Sequence, residues 1–357
     1  MTTTRANIYI LGASGFGGGE LLRILSGHPA VAGIRVVSRH HAGEPIHKVH
    51  PHLRGLVDGR FEAEPDWRWL ADSQQPVVFS ALGHGELAAQ FKNLEAKWAE
   101  AGIADRMLLI DLSSDFRLDH PGRYAGAYGR PHPAPELLGT FTYGLTEWKR
   151  EEVKKAKRIA NPGCFATAVQ LALLPIASTP GLGLLAVSGV TGSSGSGSLP
   201  GEGTHHPTRA HDFRAYKPLE HQHEAEVEVM LVAHGAQRHR LAFVPHSAPM
   251  VRGIFATVQF EWPEHGGAVV TASLMEKFRR YYEGHKFVRI VEGTPRIAAV
   301  TGSNFCDIAV ATKGRSVAVM AALDNLVKGM AGQAVQNFNV ALGFPEDTAL
   351  RQAACYP

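Results

Sequence analysis

Cys164 follows Asn161-Pro162-Gly163 and leads into Phe165-Ala166-Thr167 and a longer apolar run. Of the three cysteines, it alone stands behind a Pro-Gly turn at a predicted helix start. Unpaired backbone N–H groups and the helix dipole favour thiolate over thiol at such a place. The residue suits a nucleophile, with a buried structural thiol as the competing reading. His221-Gln222-His223-Glu224-Ala225-Glu226 offers a proton carrier. Imidazole changes charge near neutral pH, so His223 can act as acid and base, while Glu226 can orient it or bind substrate. An exposed polar turn is the plain alternative, and His205 and His206 compete for the same role. No cysteine or carboxylate pattern completes a metal site, and none is expected.

A second chemistry is written near the start. Residues 7–11 read as a buried strand, Gly12-Ala13-Ser14-Gly15-Phe16-Gly17-Gly18-Gly19 follows, and residues 20–26 read as a helix. This is the strand–turn–helix context of a dinucleotide site, spaced G-x-x-G-x-x-G. Gly12 permits a tight turn, Gly15 lets backbone approach a pyrophosphate, and the helix start supplies N–H donors. Gly12, Ala13, Ser14, Gly15, Phe16 and Gly17 are the candidate contacts, against a purely structural turn. Residues 33–37 form the second strand and run into Ser38-Arg39 where NAD binding would want a carboxylate. Arg39 can pair with a 2′-phosphate and Ser38 can donate to it, which points to NADP(H), unless Arg39 is simply solvated. Ser80, Gly83 and Ser113 follow two further strands, where an open parallel sheet lines its ligand crevice. Arg117 can meet an anionic substrate or make an ion pair within its own domain.

A chain of 357 residues can carry two cores, and 38 glycines favour an α/β enzyme. A net charge of +3 is too small to imply nucleic acid. No charge-free stretch is long enough to span a membrane and no signal-peptide pattern opens the chain, so a cytoplasmic protein with free thiols is expected. The first domain is expected over 1–160, completed by a helix within 325–357, and the second over 161–324. Residues 121–135 read as irregular, residues 227–232 as a strand, and the last helix as starting near Asn325. Gly192-Ser193-Ser194-Gly195-Ser196-Gly197-Ser198 follows a predicted strand, and its amides and hydroxyls can cradle a phosphate or an oxyanion, or form a lid.

Thiol, histidine and dinucleotide together narrow the reaction. A thiolate can displace phosphate from an acyl phosphate to give a thioester, which hydride then reduces to an aldehyde. A cysteine protease would leave the nucleotide turn idle.

With these residues in hand, the chain resembles the N-acetyl-γ-glutamyl-phosphate reductase family, related to the aspartate-semialdehyde dehydrogenases. The likeness runs through Gly12-Ala13-Ser14-Gly15-Phe16, Asp111-Leu112-Ser113-Ser114-Asp115-Phe116-Arg117-Leu118, Asn161-Pro162-Gly163-Cys164, Pro249-Met250-Val251-Arg252-Gly253, Gly302-Ser303-Asn304-Phe305-Cys306-Asp307 and Asp324-Asn325-Leu326-Val327-Lys328-Gly329. The resemblance implies a Rossmann-type NADP-binding domain plus an α+β catalytic and dimerisation domain, in a homo-oligomer, dimer or tetramer. It implies Cys164 as nucleophile and His223 as acid/base beside Glu226. It further implies substrate contact by His221, a place near the nicotinamide for Asn325, and phosphate or carboxylate contacts for Lys217, His246 and Arg252. Cys306 reads as structural.

Three stretches depart from the arginine-pathway pattern: 192–197, 204–209 and 221–226. They resemble the lysine-biosynthesis branch, whose substrate is α-aminoadipate 6-phosphate held on the acidic amino-group carrier protein LysW. Lys149, Arg150, Lys154, Lys155, Lys157 and Arg158, or Arg209, Arg214 and Lys217, could steer such a carrier, or could merely coat solvated faces. The alternatives are N-acetylglutamyl-phosphate reduction in arginine synthesis, an enzyme serving both carrier-linked chain lengths, and a non-catalytic NADP- or carrier-binding protein.

Overall fold

The computed structural model describes residues 5–235, 240–264 and 267–356. Chain packing divides it into two units, Met1–Pro162 with Met330–Arg351, and Gly163–Gly329 with Gln352–Pro357. The expected 325–357 segment is therefore shared: its middle joins the first unit and its two ends the second. Residues 1–4 and 357, at the extremities of the expected first domain, lie outside the described residues.

The first unit is built on seven parallel strands: β1 (Ala6–Leu11), β2 (Val31–Val37), β3 (Phe61–Glu62), β4 (Gln75–Ser80), β5 (Leu108–Asp111), β6 (Thr142–Tyr143) and β7 (Arg158–Ala160). Their order is β3-β2-β1-β4-β5-β7-β6. β1 and β4 are buried almost throughout, as strands covered on both faces must be. Tyr9, Val78, Phe91, Trp98, Phe116 and Phe141 belong to one core, in which the rings of Phe116 and Phe141 stack at 4.0 Å. Helix Gly332–Ala341 packs on helices Phe16–Leu25 and Thr146–Val153. Its buried amides hold it there: Gln333 and Asn337 donate to the Gly144 carbonyl at 3.0 and 2.7 Å, and Asn337 also donates to Asn161 Oδ1 at 3.1 Å.

The second unit carries a mixed sheet of β8 (Leu184–Thr191), β9 (Arg214–Ala215), β10 (Arg240–Ser247), β11 (Ile254–Glu261), β12 (Val288–Ile290), β13 (Cys306–Lys313) and β14 (Ser316–Leu323). The order is β12-β13-β14-β11-β8-β10-β9. Helix Cys164–Leu173 packs on β11 and β14.

Three local expectations fail, each for a physical reason. Residues 121–128 form helix Pro121–Tyr128 rather than irregular chain: Pro121 occupies the first turn, where its fixed φ is an asset, and His120 Nδ1 caps Gly122 N at 3.0 Å. The run 227–232 is not a strand but lies in helix His223–Ala233, with Glu224 and Glu226 in its first turn. A short apolar run of β-branched residues fits either period, and only the capping environment separates them. The last helix starts later than Asn325, after a π-helical turn over Val327–Ala331.

Candidate active site

Helix Cys164–Leu173 is largely apolar, as a helix buried all round must be: Phe165 to Leu173 are buried, and Cys164 at its first position is partly so. Gly163, extended at φ −69° and ψ 146°, is its N-cap and has no side chain to cap with. The Gly163 N–H instead donates to Glu226 Oε2 at 3.0 Å. Close against the thiol lies Gly329, where a Cβ would stand 2.7 Å from Cys164 Cβ, so only glycine leaves the cysteine its place. Gly329 is held by its N–H, 2.9 Å from the Asp324 carbonyl.

Glu226 links the cysteine turn to the histidines. It is 1 % exposed, and its Oε1 lies 4.0 Å from His223 Nε2. Gln170 donates to the Glu226 carbonyl at 2.8 Å, tying helix His223–Ala233 to the cysteine helix. Phe165 touches both imidazoles edge-on, 5.6 Å from His221 and 6.4 Å from His223. His221 and His223 stand ring to ring at 4.7 Å, and His221 Nδ1 accepts the His223 N–H at 3.2 Å. The segment that brings them follows β10: Tyr216 N donates to Pro245 O and Leu219 N to Phe243 O. Lys217 (φ +44°) and Leu219 (φ +62°) adopt left-handed backbone there, a strain the surrounding structure must hold. His205 and His206 are exposed and cap or begin a short helix elsewhere in the unit.

Burial, with the Lys217 charge adding, lowers the His221 pKa to about 4. The folded value lies below the unfolded one near 6.5, so the unfolded chain takes up the proton first. The stability due to neutral His221 is complete above pH 6.5 and is lost as pH falls toward 4. That loss should be on the order of 3 kcal/mol. His221→Phe should accordingly flatten the fall in Tm between pH 7 and pH 4; an unchanged slope in thermal melts would count against this account.

In the first unit, Gly12 sits at φ +70°, and a Cβ there would stand 2.6 Å from the Ala81 carbonyl. A Cβ at Gly15 would meet only the Gly12 carbonyl, at 3.9 Å, so the space over it is open. The helix begins at Phe16, four residues earlier than the sequence suggests, so Phe16 and Gly17 are its first turn. A cavity of about 580 Å³ is lined by Gly12, Ser14, Ser38 and Arg39 among others. Ser38 is buried and donates to Ser14 Oγ at 3.1 Å, while Arg39 is exposed. Ser80 Oγ, at the carboxyl end of β4, is buried with no protein partner. A cradle closed to side chains, a cavity beside Ser38 and Arg39 and an orphaned hydroxyl fit a dinucleotide. Ala13 N is engaged by Val37 O at 3.1 Å, so Ala13 offers no donor of its own. Gly83 is exposed beside Glu86. Ser113 directs its hydroxyl inward, donating to Asp111 Oδ2 at 2.7 Å and accepting from Asp115 N at 3.1 Å.

The serine-glycine segment is a folded turn. Gly192 N, Ser193 N and Ser194 N donate to the carbonyls of Gly253, Met250 and Val251 at 3.1, 2.9 and 3.0 Å. Donors so engaged cannot also hold an anion. Asn325 secures the turn with both ends of its amide, accepting from Gly253 N at 2.8 Å and donating to Ser194 Oγ at 2.9 Å. Arg117 is buried and braces backbone, donating to the carbonyls of Asn161 (2.8 Å) and Leu112 (2.9 Å), so it supports the Asn-Pro-Gly turn from below. His246 Nδ1 bonds Gly189 O at 3.2 Å, and its ring stacks on Phe213. Arg252 meets the buried Asp324 at 3.4 Å. Lys217 is exposed, 3.4 Å from Gln222 Oε1.

The basic stretch ahead of Cys164 is largely paired: Arg150 with Glu346, Lys154 with Glu151 and Arg158 with Glu95, while Lys157 donates to the Asp105 carbonyl. Arg209 braces Ser247 and Ala248, and Arg214 pairs with Asp212. Sequence reasoning missed Tyr216, Gln170 and Gly329. Tyr216 packs edge-on to His221 at 5.8 Å, and burial, with the Cys164 charge adding, pushes its hydroxyl pKa up. Gly329 closes a stretch that carries the family resemblance, but nothing in local sequence gives any of the three its role, because each acts across a gap of dozens of positions. Among the described residues no three His, Cys, Asp or Glu side chains group as metal ligands, and no helix is long and apolar enough to cross a membrane.

A family model described as the semialdehyde dehydrogenase NAD binding domain matches residues 7–156, and one described as the semialdehyde dehydrogenase dimerisation domain matches residues 164–325. The LysW-L-2-aminoadipate/LysW-L-glutamate phosphate reductase of Sulfurisphaera tokodaii is 41% identical over 355 residues, covering 96% of this chain and 97% of that one. The N-acetyl-gamma-glutamyl-phosphate reductase of Desulforamulus reducens is 39% identical over 357 residues, covering 98% and 99%. The crystal structure of aspartate semialdehyde dehydrogenase II from Vibrio cholerae shares the fold at a TM-score of 0.68 and 18% identity, covering 95% and 99%.

Proposed function

Because the chain belongs to the semialdehyde dehydrogenase family, we propose that it reduces a carrier-linked acyl phosphate, L-2-aminoadipate 6-phosphate on the acidic protein LysW, to the semialdehyde with release of phosphate, in lysine biosynthesis. The observation that carries the chemistry is the Glu226 carboxylate, which joins the Gly163–Cys164 turn on one oxygen to the side of His223 on the other. The likeness to the Sulfurisphaera reductase supports the carrier-linked substrate.

NADP(H) is the cofactor in this reading. Gly12, Ser14, Gly15, Phe16 and Gly17 would hold its pyrophosphate, Ser38 and Arg39 its 2′-phosphate, and Ser80 and Gly83 line the same sheet edge. When bound, its nicotinamide supplies the hydride that takes the acyl group down to the aldehyde level. The protein's own part begins with the Cys164 thiolate, which attacks the acyl carbon and expels phosphate to form a thioester. The amides at the start of the cysteine helix favour the thiolate and the developing oxyanion. His223 protonates the oxygen of the thiohemiacetal and takes that proton back as it collapses to aldehyde and thiolate. Glu226 fixes the imidazole. His221, Lys217, His246 and Arg252 are the candidate substrate contacts, and Asn325 holds the serine-glycine turn.

A homo-oligomer, dimer or tetramer, belongs to the reading, supported by the description of the model that matches residues 164–325. Three free cysteines suit a reducing, cytoplasmic compartment. Either the 149–158 set or Arg209, Arg214 and Lys217 could face the carrier; Lys217 is exposed, while Arg209 and Arg214, like most of the 149–158 set, are engaged within their own unit.

The Desulforamulus relative favours a second reading, reduction of N-acetyl-γ-glutamyl phosphate. One methylene of chain length is worth only about 1–3 kcal/mol, so an enzyme serving both carrier-linked acids is a third outcome. Run in reverse with NADP and phosphate, the enzyme should reduce NADP fastest with LysW-linked aminoadipate semialdehyde. Comparable rates with the LysW-linked glutamate analogue would make it bifunctional. Preference for free N-acetylglutamate semialdehyde would overturn the carrier reading.

A further inference from the structure

His50 lies outside the glycine turn in sequence, between β2 and β3, yet its ring reaches that turn. It is 5 % exposed, and its Nε2 stands 2.8 Å from the Ala13 carbonyl oxygen. A carbonyl only accepts, so Nε2 carries the proton and donates. Burial lowers the pKa of this imidazole, with the Ala13 bond opposing and His52 and His41 adding. The other ring nitrogen packs on helix Phe16–Leu25 at Gly19, where a Cβ would stand 2.8 Å from Nδ1. At Gly18 a Cβ would stand 2.3 Å from the Ala13 oxygen. These two glycines thus let Ala13 and His50 lie directly on the first turns of the helix. The His50 backbone is itself anchored, its N–H donating to Ile46 O at 2.8 Å.

Both polar groups of Ala13 are therefore fixed, its N–H on Val37 and its carbonyl on His50. In a trans peptide C=O and N–H point in opposite directions, so the Ser14 N–H is turned away from the imidazole. Ser14 lines the cavity shared with Gly12, Ser38 and Arg39. We propose that His50 is a positioning residue for the cofactor's pyrophosphate: by donating to Ala13 it locks the Ala13–Ser14 peptide with the Ser14 N–H presented to the anion. The inference rests on the cofactor reading above and adds a residue that no glycine fingerprint contains.

Calorimetric titration of the full-length protein tests it with two ligands, NADPH and adenosine 2′-monophosphate. The second carries adenine, ribose and 2′-phosphate but no pyrophosphate. His50→Leu should raise the Kd of NADPH about tenfold and leave that of adenosine 2′-monophosphate within about twofold. His50→Gln, whose amide can donate to the same carbonyl, should recover most of the loss. Gly19→Ala, which crowds the ring off Ala13, should reproduce the selective loss and serves if the leucine variant does not fold. NADPH binding at wild-type strength in His50→Leu overturns the proposal. So does equal weakening of both ligands, or a glutamine variant no better than leucine. Failure of the wild-type protein to bind NADPH would defeat the cofactor reading itself and the proposal with it, a result distinct from any difference among variants.

Discussion

Cys164→Ser should lower turnover by about four orders of magnitude while NADPH binds within about twofold of the wild-type strength. The side chain shrinks little, so Gly329, Phe165 and the Gly163–Glu226 bond have no reason to move. What changes is the nucleophile. A serine hydroxyl is almost wholly protonated at neutral pH, and the amides at the helix start cannot lower its pKa far enough to matter. An alkoxide is also a poor leaving group when the aldehyde must be released. The measurement pairs NADPH formation from semialdehyde and phosphate with NADPH binding followed by fluorescence. Turnover within tenfold of wild type would reject covalent catalysis and leave Cys164 a structural thiol. Loss of both turnover and NADPH binding would point to damage of the fold.

His223→Gln should cost about 10²- to 10³-fold in turnover, within the usual span for removing a general acid–base group. Cys164 should remain open to alkylation by iodoacetamide, because the helix that carries it is held by Gln170 and Glu226 rather than by the imidazole. His221→Asn should cost much less. Its ring is neutral down to about pH 4 and its Nδ1 is engaged by the His223 N–H, which makes it a support for its neighbour. The discriminating experiment is the pH profile. The limb due to the acid/base imidazole should persist in His221→Asn and vanish in His223→Gln. If the two variants are equally slow and share one profile, the division of labour between the histidines is wrong.

Much of this site was legible in the chain itself. The Pro-Gly turn before Cys164, the apolar run after it and the strand–glycine–helix order near the start are local patterns, and local patterns follow from backbone sterics and hydrophobic period. The absence of a carboxylate after the second strand, with Ser38 and Arg39 in its stead, is also a local fact, and the cavity beside those residues agrees with it. Where local signals were ambiguous the reading failed. Val227-Glu228-Val229-Met230-Leu231-Val232 suits a strand or a buried helix turn equally, and Pro121 reads as a breaker until it is seen in a first helical turn.

The residues able to react can be named from the chain: one cysteine at a helix start, a small set of histidines and a glycine turn for phosphate. Packing chose among them. It set His223 beside Glu226 and left His205 and His206 exposed. It engaged the amides of Gly192, Ser193 and Ser194 with the carbonyls of Gly253, Met250 and Val251. It turned Arg117 and Ser113 inward and brought His50 under Ala13. The physical reason is the same in each case. Reactivity is a property of a residue and its immediate neighbours in the chain, whereas the partner of a hydrogen-bonding group is chosen by whichever distant segment the packed core delivers to it.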